Sequence, residues 1–268
     1  MAPKVVECGN MAARLSQHFL KDPEAPDAII QAAGVGPGEA VLEIGPGKGA
    51  LTKPLLDAGA NVTAVEMDDA LAAGLPALVK NPERLTVINE DFLRLDLDAL
   101  GPGPWRVVGN LPYAVATPIL QKVLTWERWT QAALMFQKEV ALRVASGTGG
   151  ADYGLLSLSV RLRADAEIAF ELPPEAFRPR PKVDSAVVRL TRLAAPRLPP
   201  QDEPAFWRLA KAAFGQRRKT AAGVLARALS RPRAEVAAAL AVAGVGPRAR
   251  PEEIPFEVWA ALARSLHA

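Results

Sequence analysis

The stretch Val41-Leu42-Glu43-Ile44-Gly45-Pro46-Gly47-Lys48-Gly49 decides the fold of this 268-residue chain. Its first four residues, apolar but for one carboxylate, have the pattern of a short buried strand. Alternating glycines follow, and residues 51–58 then read as a helix. Strand, glycine turn and helix in that order make the crossover unit of an open α/β sheet, whose strand ends are where such sheets hold ligands. A phosphate-binding loop needs G-x-x-x-x-G-K-[ST]. Leu42 stands where its first glycine belongs and Gly49 where its hydroxyl belongs, so that reading fails. The dinucleotide pattern G-x-G-x-x-G/A is met formally by Gly45, Gly47 and Ala50, and is weak by itself.

Working outward, residues 23–34 read as a helix before this unit. After it come a strand at 61–65 ending at Glu66, a helix at 71–79 that must tolerate Gly74 and Pro76, and a strand at 85–88 ending near Glu90-Asp91-Phe92. A fourth strand at 105–108, a helix at 119–124, a strand at 132–136 and a helix at 139–145 continue the alternation. The segments 155–162 and 183–190 alternate apolar and polar residues and read as late strands, with a Pro-rich stretch at 173–181 between them. Strands alternating with helices predict a doubly wound, Rossmann-like α/β domain over residues 1–193. Residues 194–204 are Pro-rich and read as a linker. Helical segments at 206–214, 220–229, 234–243 and 256–266 then predict a small all-α domain over 194–268. No internal repeat is present.

Composition narrows the function. Half of the residues are hydrophobic and 23% are charged, as in a globular protein, and no apolar run reaches the roughly 18 residues of a membrane span. Residues 1–11 lack the apolar core and cleavage site of a secretory signal, so a cytoplasmic location is expected. Cys8 is the only cysteine, and His18 and His267 are the only histidines. No internal disulfide, thiolate metal cluster or His-based metal site is expected. Residues 1–191 hold 19 Lys+Arg against 23 Asp+Glu, whereas residues 192–268 hold 13 against 6. An acidic body with a basic tail predicts a polyanion gripped by the tail. With 22 of the 32 basic residues being Arg, a solvated basic face is the competing reading.

The acids at the strand ends point to the cofactor. Glu43 lies two residues before Gly45, where a carboxylate is awkward beside a pyrophosphate but suits a cation. Glu66, nineteen positions after Gly47, can take both hydroxyls of a ribose. Asp91 can accept from an adenine amine, with Phe92 packing nearby. S-adenosylmethionine carries a sulfonium, an α-ammonium, a ribose and an adenine, and fits this set better than a nicotinamide dinucleotide does. The glycines Gly45 and Gly47 would let its backbone cradle close.

Asn110-Leu111-Pro112-Tyr113 follows the fourth strand. The Asn oxygen is an acceptor, Pro112 has a fixed φ and no N–H, and Tyr113 offers a flat face for a nucleobase. These suit a planar ring with an exocyclic amine, although four residues alone read equally as a strand followed by a Pro turn.

Taken together, the chain resembles the ribosomal RNA adenine N6,N6-dimethyltransferases, in their housekeeping small-subunit branch, over about residues 14–268. The resemblance is carried by Gln17-x-Phe19-Leu20, Glu43-x-Gly45-x-Gly47-x-Gly49, Glu66, Glu90-Asp91, the Asn-Leu-Pro-Tyr box, Gln137-Lys138-Glu139-Val140-Ala141, Phe177-x-Pro179-x-Pro181-Lys182-Val183 and Phe214-Gly215-Gln216-Arg217-Arg218-Lys219-Thr220. It implies S-adenosylmethionine contacts at His18, Leu20, Gly45, Glu66, Asp91 and Asn110. It also implies dimethylation of two adjacent adenines in a hairpin near the 3′ end of small-subunit rRNA, in an immature 30S particle, by a monomeric enzyme without metal. In this reading the Asn110 oxygen and the Leu111 carbonyl, set by Pro112, accept the two amine hydrogens. Tyr113 and Phe177 sandwich the base, and Arg217, Arg218 and Lys219 clamp phosphates. Two departures stand out. Ser16 and His18 replace the usual Gly and Asn, and Ala221-Ala222-Gly223 replaces the usual Leu-Arg-Asn. DNA adenine methyltransferases more often carry Asp-Pro-Pro-Tyr. Large-subunit rRNA methylases are closer rivals, and a non-catalytic assembly factor is disfavoured by the intact box and Glu66.

Overall fold

The computed structural model describes residues 18–264. Ser16 and Gln17 of the resemblance lie outside them. The strands are β1 Phe19–Leu20, β2 Ala40–Ile44, β3 Asn61–Glu66, β4 Leu85–Asn89, β5 Trp105–Asn110, β6 Trp129–Gln137, β7 Ala164–Leu172, β8 Phe177–Arg178 and β9 Ser185–Arg192. The helices are α1 Ala25–Ala32, α2 Thr52–Asp57, α3 Asp69–Gly74, α4 Ala116–Thr125, α5 Lys138–Ala145, α6 Leu155–Arg163, α7 Glu203–Phe214, α8 Ala221–Leu229, α9 Arg233–Val242 and α10 Phe256–Arg264. Seven strands form one sheet in the order β4-β3-β2-β5-β6-β9-β7. β4, β3, β2, β5 and β6 run parallel, and β9 is antiparallel to β6. The order reverses between β2 and β5, so the loops after these strands diverge and leave a crevice at their C-terminal ends.

Burial explains why the parallel strands form. Val41, Leu42, Val107, Val108, Ala133 and Met135 are fully enclosed, as expected of central strands covered on both faces. β1 pairs with β8 in a separate two-stranded ribbon, Leu20 opposite Phe177.

Three readings are corrected. Residues 155–162 form a helix, α6, and the strand of this region is β7, which follows it. The alternation Leu-Ser-Leu-Ser-Val mimicked a strand. Leucine favours helix, though, and the Ser157 hydroxyl accepts from Gly154 N–H at the first turn and donates to the Arg143 carbonyl. The helix expected at 71–79 stops being α-helical at Gly74 and ends in a 3-10 turn, Leu75–Leu78. Pro76, lacking an N–H, cannot extend the ladder. It begins at a genuine cap, because the Asp68 carboxylate accepts from the Ala70 and Leu71 N–H groups.

The third concerns the domain cut. Two compact units emerge, one running to Ala141 and resuming over Ala166–Arg192, the other comprising Leu142–Asp165 and the chain from Leu193 onward. A single cut after residue 193 therefore misses Leu142–Asp165. The second unit has its own core, in which Tyr153, Leu158 and Leu162 join Phe206, Leu209, Phe256 and Trp259. Burial of each large ring contributes about 1.5–3 kcal/mol. Deleting residues 194–268 would strip α6 of this core, so the tail is not separable at that point. The tail helices themselves fall within a few residues of where the apolar spacing put them, residues 265–266 of the last lying outside the described residues.

Candidate active site

The crevice after β2, β3, β4 and β5 is a cleft of about 560 Å³ lined by four of the loops that the sequence marked. His18, Leu20, Glu43, Gly45, Gly47, Glu66, Asp91, Phe92, Asn110, Leu111, Pro112 and Tyr113 all lie on its wall. The folding of the sheet thus assembles residues spread over 96 positions of sequence into one site.

Glu66 organises the glycine turn. Its side chain is 4% exposed, and its two oxygens accept from different backbone donors: Gly47 N–H at 2.9 Å and Asp68 N–H at 2.9 Å. Gly47 has φ +57°, and a Cβ there would stand 3.0 Å from the Phe19 ring. The turn therefore needs glycine for conformation and for space at once. Each Glu66 oxygen keeps a lone pair for a hydroxyl.

Glu43 is the opposite case. It is 1% exposed, and neither of its oxygens has a hydrogen-bond partner; the Thr52 hydroxyl beside it is also buried and unpartnered. Burial pushes its pKa up to about 8, the Glu66 charge adds to the rise, and nearby Thr52 pulls the other way without reaching hydrogen-bond geometry. Unsatisfied buried polar atoms beside a cleft are what a bound polar group would complete.

The loop after β4 is held by a residue that the sequence reading missed. Lys122 of α4 donates to the Leu93 carbonyl at 3.0 Å and to the Leu95 carbonyl, and lies 5.6 Å from the centre of the Phe92 ring. Burial lowers its pKa, opposed by Asp91, Glu90 and Asp96. Asp91 itself accepts from Leu93 N–H, and Phe92 is buried as a wall. A lone lysine on a helix carries no local signal for this role.

Asn110 has a defined orientation. Its Nδ2 donates to the His18 carbonyl at 2.8 Å. A carbonyl only accepts, so the amide cannot be reversed, and its oxygen is left without a partner among the described residues. The Leu111 side chain is buried, and its carbonyl makes no hydrogen bond among the described residues, while the Pro112 carbonyl is taken by Val115 N–H. Tyr113 is pinned at its far end, its hydroxyl 2.6 Å from the Ser185 hydroxyl. Burial raises the Tyr113 pKa and Ser185 partly offsets this, so the phenol stays protonated near neutrality and is no base.

One site expectation is corrected. Phe177 does not face Tyr113: it is 2% exposed, packed in the core with Leu20, Ile29 and Leu172. The ring that does stand against Tyr113 is His18, 5.4 Å between centroids and tilted by 32°. His18 Nδ1 lies 2.7 Å from the Pro179 carbonyl, so that nitrogen carries the proton. His18 thus touches Asn110 through its carbonyl and Tyr113 through its ring. Arg217 is exposed like Arg218 and Lys219, and its Nη2 donates to the Ala151 and Tyr153 carbonyls, which gives it a fastening role within its own unit. Arg218 and Lys219 are exposed, beside a groove that Arg227, Arg231 and Arg233 also line. Ser185 and Arg233 were not singled out, and Pro179, quoted only as part of a motif, acts through its carbonyl on His18.

No group of three or more His, Cys, Asp or Glu among the described residues could hold a metal ion, and no helix among them is long and apolar enough to cross a membrane.

Comparison with known proteins agrees with the fold. The family model described as "Ribosomal RNA adenine dimethylase" matches residues 9–267. The "Ribosomal RNA small subunit methyltransferase A" of Paracoccus denitrificans is 45% identical over 95% of this chain and 91% of its own length. Among solved structures, the 23S rRNA methyltransferase ErmE has 31% identity and a TM-score of 0.76, covering 93% of this chain and 100% of its own. A dimethyladenosine transferase from Plasmodium falciparum, at 24% identity, shares the fold with a TM-score of 0.78 over 93% of this chain and 98% of its own.

Proposed function

The chain belongs to the ribosomal RNA adenine dimethylase family, and from that premise we propose that it dimethylates the exocyclic amine of two adjacent adenines near the 3′ end of small-subunit rRNA, using S-adenosylmethionine. The observation that carries the reading is the Asn110 amide: its N–H end is fastened to the His18 carbonyl, and its oxygen, without a partner among the described residues, lies at the wall of a cleft lined by Glu43, Glu66 and Asp91.

The residues present fit the cofactor. Glu66 and the turn at Gly45 and Gly47 would hold the ribose and its neighbourhood, Asp91 and Phe92 the adenine, and Glu43 the cationic end. His18 and Leu20 close the wall. The cofactor supplies an electrophilic methyl group. The protein's task is the amine, a poor nucleophile because its lone pair is delocalised into the ring. Asn110 Oδ1 and the Leu111 carbonyl accept its two hydrogens, which favours a pyramidal nitrogen and aims the lone pair. Catalysis is then orientation and preorganised electrostatics, and no side chain has to act as a strong base. Tyr113 stacks on the base, with His18 as its aromatic neighbour, and stacking contributes about 1–3 kcal/mol toward holding a base out of RNA structure.

For RNA grip we assign the exposed Arg218 and Lys219, with Arg233 lining the same groove, and we give Arg217 the fastening role within its unit. The Arg218→Gln, Lys219→Gln double variant should bind small-subunit RNA more weakly, with its log–log salt slope reduced by roughly 1.5–2. Arg217→Gln should instead lower the unfolding midpoint with little change in that slope. Equal slopes for the double variant and the parent enzyme would refute the assignment. The enzyme would work as a monomer on an immature 30S particle in the cytoplasm. Methyl transfer from labelled cofactor to immature small subunits, with the modified nucleotides mapped, tests the whole reading. Dimethyladenosine in small-subunit RNA is expected; label only in large-subunit RNA would overturn it.

A further inference from the structure

The carboxyl of Glu43 is a fully buried acid on the cleft with no hydrogen-bond partner among the described residues. Both of its oxygens are buried and neither forms a hydrogen bond among the described residues, and the nearby Thr52 hydroxyl is equally unpartnered. An ionised carboxylate in that state would forfeit hydration with nothing in return. Glu66, the last residue of the next strand, differs because two backbone N–H groups stabilise its charge. The pairing of β2 with β3 brings these two acids to neighbouring strands, with Glu43 opposite Ala64. Two negative charges so close in a buried setting disfavour each other.

We propose that Glu43 holds a proton while the cleft is empty and releases it when the cationic end of the cofactor enters, so that cofactor binding is coupled to proton release. The inference rests on the cofactor reading above. The O–H bond of the carboxylic acid breaks heterolytically, the electron pair stays on the carboxylate, and the proton passes to buffer. The incoming cation supplies the counter-charge that the fold withholds. The raised Glu43 pKa, about 8, is consistent with a protonated empty site near neutrality. The other charged or titratable groups on the cleft wall are His18, Lys48, Glu66, Glu90, Asp91 and Tyr113. Of these, Glu66 acts on Glu43 and pushes in the same direction as burial, while the Thr52 hydroxyl and backbone pull the other way without cancelling the rise. Nearby charges outside the wall are committed elsewhere, Lys53 to Asp57 and Arg106 to Glu39.

The sign follows from linkage. Below pH 8 the empty enzyme binds more protons at Glu43 than the complex does, so raising the pH favours the complex. Affinity for S-adenosylmethionine should tighten about tenfold between pH 6 and pH 7, where the cofactor's own α-ammonium remains charged. The test is isothermal calorimetry of the intact enzyme with S-adenosylmethionine at pH 6.5, in two buffers of different ionisation enthalpy. Wild-type enzyme should release about one proton per cofactor bound. Glu43→Gln, near in shape but without the titrating proton, should release close to none, and its affinity should stay flat from pH 6 to pH 7. Equal heats in both buffers for wild-type enzyme would overturn the proposal, and so would undiminished release from Glu43→Gln. The wild-type arm decides by itself if the variant does not fold. Absence of binding in any condition would overturn the cofactor reading, and this inference with it, and is distinct from binding without proton release.

Discussion

Asn110→Ala enzyme, saturated with cofactor and RNA, should transfer methyl groups at least about 10²-fold more slowly in a single turnover, the scale for losing one preorganised polar contact to a reacting centre. The reason lies in timing. Positive charge develops on the adenine nitrogen as the methyl transfers, so a fixed oxygen beside it stabilises the transition state more than the bound substrate. The oxygen is fixed because the other end of the amide is bonded to the His18 carbonyl at 2.8 Å. RNA affinity should barely move, since stacking on Tyr113 and phosphate contacts in the tail survive. Tyr113→Ala should differ by weakening base capture too. Because Asn110 also borders the cofactor cleft, cofactor affinity must be measured for each variant so that saturation is real. A saturated Asn110→Ala enzyme working at near wild-type rate would refute this mechanism while leaving the family membership intact.

The second large effect is expected at Glu66. Glu66→Ala should weaken S-adenosylmethionine binding by tenfold or more. Two charge-assisted hydrogen bonds to the ribose, each worth about 1.5–3 kcal/mol, would be lost. The structure adds a further cost. The same carboxylate accepts from Gly47 and Asp68, so its removal leaves two backbone donors unpaired and frees a turn that needs positive φ at Gly47. Glu66→Gln should be nearly as harmful, because an amide offers one oxygen where the fold presents two donors. Calorimetry at constant pH measures the affinity, and a thermal melt of each variant separates a slack turn from a misfolded chain. Unchanged affinity in both variants would remove Glu66 from the ribose.

Much of the site was legible because its parts are local in sequence. The glycine turn after β2 and the acids closing β2, β3 and β4 depend on strand ends that hydrophobic runs mark directly. All of these fell on one cleft. What stayed hidden depends on contacts across long separations. Tyr113 meets Ser185 over 72 positions, Asn110 meets the His18 carbonyl over 92, and His18 Nδ1 meets the Pro179 carbonyl over 161. No window of sequence contains such a pair.

The sequence by itself therefore determined the α/β architecture, the helical tail and which acids stand at the strand ends, since each follows from periodicity or from residue chemistry at a strand end. The tertiary structure alone decided how those residues are used. Residues 155–163 became a helix because the core of the second unit buries Leu158 and Leu162 among Phe206 and Trp259, overriding an alternation that local pattern could not distinguish from a strand. Phe177 went to the core and left His18 beside Tyr113, because the pairing of β1 with β8 sets which ring faces inward. Arg217 became a fastener because two carbonyls of a loop more than sixty residues away converge on it, and Glu43 became a buried acid without a partner because its strand lies inside the sheet.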